Sequence, residues 1–134
     1  MPIATTPSFA ITPRIGVASV STANTARDGS GTMATILSAS GGLVIKVSRI
    51  AIQATGDPAD SIVTMFLHDG ATAWLFDEFD LGNPAAASNT VAGFRTERRY
   101  DDLMLPSGWS LRAAITVALT SGVCNVFAFG METT

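Results

Sequence analysis

Charge is what this chain has least of. Asp, Glu, Lys and Arg make up 14% of its 134 residues, against roughly 25% in an average soluble domain. Lysine occurs once, at Lys46, and the 8 Lys and Arg together are outnumbered by 11 Asp and Glu, for a net charge of -3. An anionic chain with so few cations has no basic surface for a run of phosphates, which argues against a nucleic-acid partner. Histidine and cysteine also occur once each, as His68 and Cys124. One cysteine makes no internal disulfide, and one histidine with no Cys pair or His-x-Glu near it makes no zinc site. The expectation is a chain made in a reducing compartment, with no metal and no cofactor.

Other signals are missing too. The start, Met1 to Pro7, has neither a basic region nor a continuous apolar run, so it does not read as a signal peptide. Ala113 to Met131 is uncharged over nearly the length of a membrane helix. Thr116, Thr120, Ser121, Gly122 and Asn125 interrupt it, however, and Thr120-Ser121-Gly122 reads as a turn between two strands. No membrane span is expected.

The catalytic constellations are equally thin. His68 precedes Asp69-Gly70 at the end of an apolar segment and reads as a hydrogen-bonded residue at a hairpin shoulder, with no base or orienting partner for a triad. Asp77, Glu78 and Asp80 form the one acidic cluster. Alternation places Glu78 and Asp80 on one face with Trp74 and Phe76, and Asp77 on the other, which disfavours a single acid pair. Asp28-Gly29-Ser30-Gly31 is glycine-rich but lacks the lysine and the following helix of a phosphate loop. Cys124, in Val123-Cys124-Asn125-Val126, reads as a small buried apolar side chain. An enzyme is not expected.

What the chain does have is apolar material, at 47%, and regular turn punctuation. Residues 1–13, with Pro2, Pro7 and Pro13, read as an extended arm whose Ile3, Phe9 and Ile11 are available for a neighbouring subunit. Short β segments then follow: 14–21 with Ile15, Val17 and Ser19 on one side, 32–39, 43–55, 61–68, 73–79, 94–100, 109–119 and 123–129. In 43–55 the apolar alternation slips phase after Val47, the mark of a bulge near Ser48-Arg49. The segment 61–68 is almost continuously apolar, as for a strand buried on both faces. Eight or nine short strands with few helical patterns predict an all-β, antiparallel β-sandwich at 14–130, with a jelly roll as the leading topology and a short tail at 131–134. Trp74 and Trp109 complete the residues expected at an assembly interface; on a shared exposed face they would instead suit a glycan.

Several stretches carry a resemblance. Thr12-Pro13-Arg14-Ile15-Gly16, the run Thr22 to Thr32, Val47 to Gly56, Phe66-Leu67-His68-Asp69-Gly70 and Leu105 to Ala113 are similar to small proteins encoded among bacteriophage and prophage structural genes. The resemblance implies a virion component, a capsid decoration or cement protein on a β-sandwich. Its partners would be the major capsid protein and copies of itself, as a homotrimer on the outer surface of a head assembled in the host cytoplasm. The low charge, the arm and the lack of a catalytic constellation agree with that. A tail- or head-fibre module binding host glycans, and a small hydrolase on a jelly roll, are the competing classes; the second would need clustered His and carboxylates.

Overall fold

A computed structural model describes residues 10–133 of the chain. Its regular structure is all strand: β1 (Ala10–Val20), β2 (Ala34–Ser38), β3 (Ile45–Ala54), β4 (Ser61–His68), β5 (Ala73–Gly82), β6 (Arg95–Leu105), β7 (Ser110–Ile115) and β8 (Cys124–Thr133). They form two four-stranded sheets, ordered β1-β8-β3-β6 and β2-β7-β4-β5. Every ladder is antiparallel. The pairs nest, first strand with last, second with seventh, third with sixth and fourth with fifth, as if one long hairpin had been rolled over. The expected all-β sandwich is therefore present, and the nesting is compatible with a jelly-roll path. Among the described residues no helix is long and apolar enough to cross a membrane.

Between the sheets lies one core. Ile45, Val47, Ile50 and Ile52 of β3 meet Val63 and Met65 of β4, Leu111 and Ile115 of β7, and Val126 of β8, all fully buried. The expected bulge is there: the ladders of β3 slip between Val47 and Arg49, so that Val47 and Ile50 both point inward although three residues apart. The β4–β5 hairpin turns at Asp69-Gly70, where Asp69 Oδ1 accepts from Ala71 N at 2.9 Å and Thr72 N at 2.7 Å. Gly70 takes φ 103°, a conformation that favours glycine. Gly70 N donates to His68 Nδ1 at 3.0 Å, the shoulder role read from the sequence.

Several bounds differ from expectation: β5, β6 and β8 run on to Gly82, Leu105 and Thr133, so that most of the expected tail lies in the first sheet. β1 begins at Ala10 rather than Arg14, so residues 10–13 of the expected arm lie in the sheet and Pro13 pairs with Met131. Proline is tolerated because β1 is an edge strand, where a missing N–H need not face a partner. β7 ends at Ile115, not Leu119, and Val117 beyond it is exposed. In β5 the register slips at Phe76, since Met65 pairs with Asp77 but Phe66 with Leu75. That bulge separates Trp74 and Phe76 from the alternation that grouped them with Glu78 and Asp80.

Candidate functional site

The two outer faces of the sandwich are finished differently. On the second sheet, Phe66, Ala73 and Ala114 form a separate buried cluster with Met33 and Leu75 packed on it. The β1–β2 connection closes over that face. Asn24 ties the connection into a knot: its Nδ2 donates to Ser30 O at 3.1 Å and Thr32 O at 2.8 Å, and its Oδ1 accepts from Ala26 N at 3.0 Å. Asn24 N donates to Ile115 O at 2.8 Å, pinning the knot to β7, and Arg27 Nε reaches Glu78 Oε1 at 2.6 Å. The loop read as merely glycine-rich is therefore a cover, and it is the reason β4 is buried on both faces.

Among the described residues no such cover lies on the first sheet. In β1, Ile15 is 66% exposed and Val17 54%. Opposite them in β8, at ladder pairs Ile15–Phe129 and Val17–Phe127, the two phenylalanine rings stack at 6.2 Å and are half-buried. Met131 and Met104 are exposed at one end of this stripe. Around Gly16 the inward positions of the same strands hold small residues, Gly16, Ala18 and Ala128, with the buried Val126 opposite Ala18. Here the two strands turn small residues to the core and large ones to solvent, the reverse of a free sheet. The cause is the tight approach of β1 to β2, where a Cβ on Gly16 would come within 2.2 Å of Ile36 O. Beyond the stripe the face turns basic: Arg49 lies over Phe129 at 4.4 Å, with Glu97 3.7 Å from it, and Lys46, Arg95 and Arg99 stand nearby in the registers of β3 and β6.

The other sequence-derived interface residues fall elsewhere. Trp74 and Trp109 do come together, stacked at 5.8 Å with 22° between planes, at the end of the sandwich that carries the β4–β5 and β6–β7 turns. Trp74 is 49% exposed and Trp109 half-buried against the core. Ile11 lies in β1 at the irregularity between Ala10 and Thr12. Ile3 and Phe9 lie outside the described residues. The Ile15/Val17/Phe127/Phe129 stripe was missed because alternation shows which residues share a face but not which face is buried; the signal available was the small set Gly16, Ala18, Ala128 interleaved with the large one.

Titratable groups gather at one further place, the seam between edge strands β5 and β6. Asp77 accepts hydrogen bonds from the Tyr100 hydroxyl and the Arg98 guanidinium, and Arg98 covers the Phe79 ring at 4.7 Å. Burial pushes the Asp77 carboxyl up, but Tyr100 and Arg98 outweigh it and hold the group below its usual 3.8. Burial, then the Asp77 carboxylate, push the Tyr100 phenol well above 10.0. A depressed carboxyl adds stability above about pH 4 that is lost as pH falls through its folded value; a raised phenol adds stability below about pH 10 that is lost as pH rises. Tyr100 is the only tyrosine, so tyrosinate absorbance reads it alone. It is expected to stay flat through pH 10 and rise only with unfolding, whereas an ordinary titration near 10 would show the seam open. Tyr100→Phe is expected to cost about 2 kcal/mol, the worth of a hydrogen bond to a charged group, in a urea melt at neutral pH.

Among the described residues no three His, Cys, Asp or Glu side chains are grouped to hold a metal ion. Cys124 is buried and its thiol is pushed up to about 11 by desolvation, leaving little thiolate near neutral pH.

No protein-family profile matches the chain, and no curated protein does. Solved structures are similar to it. The acidic stable capsid structure of Helicobacter pylori bacteriophage KHP30 contains a chain that superposes with TM-score 0.56 at 14% identity, over 96% of this chain and 92% of that one. A chain of the virus-like particle of the extra small virus of the giant freshwater prawn Macrobrachium rosenbergii matches at TM-score 0.38 and 15% identity, over 98% and 86%. A pentameric capsid protein from metagenomic phage sequences matches at 0.35 and 19%, over 87% and 60%. The first likeness establishes a shared fold; the other two are too distant to carry an argument.

Proposed function

We propose that this chain is a structural subunit of a virus particle, a bacteriophage capsid decoration protein that binds the outer capsid surface and braces the head without chemistry. The observation that carries the reading is the unequal finish of the two sheets among the described residues: one outer face is sealed by the chain's own loop, and the other keeps an apolar stripe open. A lone stable domain seldom leaves adjacent large apolar side chains in water, whereas an assembly subunit covers them with a neighbour. The similarity in fold to a chain of a phage capsid structure agrees with it. In this reading the major capsid protein and further copies of the chain are the partners, a trimer is the expected oligomer because a capsid lattice offers three-fold positions, and the segment before Ala10 supplies reach.

Buried interface bridging adjacent capsomers would oppose the pressure of packaged DNA. Particles lacking the protein are therefore expected to release their DNA at lower temperature and to rupture more readily at low salt than complete ones. Equal resistance of both kinds of particle to heat and low salt would remove the bracing role. The stacked pair of Trp74 and Trp109, with one ring half exposed among turns, favours a fibre module that binds host glycans as the second reading. Loss of adsorption to host cells on Trp74→Ala, with particle stability unchanged, is the result that would select it.

A further inference from the structure

A β-sandwich of this kind has four edge strands, and each is an invitation to pair unless something blunts it. β6 carries Arg95, Glu97, Arg98, Arg99, Asp101 and Asp102. β5 carries Asp77, Glu78 and Asp80 and is bulged at Phe76. β2 has 5 residues and a break in register between Thr35 and Leu37. β1 is blunted only near its start, by Pro13 and the irregularity between Ala10 and Thr12, and has none of this protection from Arg14 onward. It spans 11 residues, its one charged side chain, Arg14, is bound to Glu132 of its own neighbour strand, and its solvent side is Ile15 and Val17.

We propose that β1 pairs edge to edge with β1 of a second copy, antiparallel about a two-fold axis at Gly16, joining the first sheets of two molecules into one eight-stranded sheet. The inference rests on reading the chain as an assembly subunit and names one of its contacts. A strand that meets itself must be uncharged along the contact, and β1 is the edge that meets this condition, since its arginine is already neutralised. The register follows from the faces. A slip of one residue would set inward side chains against outward ones. A slip of two would leave Ile15 opposite Ser19 or Val17 opposite Pro13. Centring on Gly16 places Ile15 against the second copy's Val17 on each side of the axis, so the two most exposed apolar residues of β1 cover each other. Such a contact is isologous and closes on itself; it would link trimers to one another, not build them.

Two measurements on the full-length protein test the contact. Ile15→Cys and Val17→Cys proteins, mixed, allowed to exchange and oxidised, are expected to form a disulfide-linked pair that neither variant forms efficiently alone. The native Cys124 gives no background, being buried and weakly ionised. In sedimentation velocity, Val17→Arg is expected to halve the mass of the associated species while leaving the thermal melt unchanged, since the two added charges would face the same short contact from both copies. No cross-linking of the mixture beyond that of the single variants overturns the proposal, as does an unchanged mass for Val17→Arg. Both are read on isolated protein, so a failure of the virion reading, seen as absence of the protein from particles, is a separate result.

Discussion

Gly16→Val is expected to cost about 3 kcal/mol or more, enough to leave a domain of ordinary stability largely unfolded on mild heating. The position lies in the middle of β1, where valine has a high strand propensity, so a local reading would score the change as favourable. The tertiary contact reverses the sign. A Cβ at Gly16 would lie 2.2 Å from Ile36 O, 2.9 Å from Ile36 C and 2.9 Å from Leu37 Cβ, and two of these three atoms are backbone that has no rotamer to change. Relief requires β1 to move away from β2, which would open the core at Val20 and Leu37, both buried. A urea midpoint near that of the wild type would show that the two edges separate without penalty.

Phe66→Ala is the second large effect, expected at about 3–5 kcal/mol. Phe66 is fully buried, yet it belongs to the small cluster on the outer face of the second sheet, not to the core between the sheets. If the β1–β2 connection were a loose surface loop, truncating a side chain beneath it would be absorbed by collapse of the loop and cost little. The Asn24 knot and its hydrogen bond to Ile115 O prevent that collapse, so a cavity remains. Calorimetry of the variant distinguishes the cases: a loss under about 1 kcal/mol would mean that the cover relaxes and is not part of the cooperative unit.

Read along the chain, much of this architecture was legible. The segment 61–68 coincides with β4, the phase slip after Val47 coincides with the bulge of β3, and Asp69-Gly70 makes the hairpin it implies. Each is a signal with a range of two or three residues, set by side-chain alternation or by one turn conformation, and such signals survive whatever the rest of the chain does. The interface was less legible. Trp74 and Trp109 are 35 positions apart and nothing local brings them together; they stack because His68 pairs with both Ala73 and Ser110, which aligns the ends of β5 and β7 on β4. Asp77, Arg98 and Tyr100 meet only because β5 and β6 are the edges of different sheets lying on the same side of the sandwich.

By itself, then, the sequence determined that this is an all-β chain of short antiparallel strands, with little charge, where the strands turn, and which residues share a face. These follow from alternation, turn residues and composition, which act over a few residues. Which face is buried was decided by the tertiary structure alone. Ile15, Val17, Phe127 and Phe129 are as apolar as any core set, and only the close approach of β1 to β2, permitted by Gly16 and lined by Ala18 and Ala128, turns them outward. The core space there is too thin for large side chains, so the small residues take it and the large ones are left for a neighbour to cover.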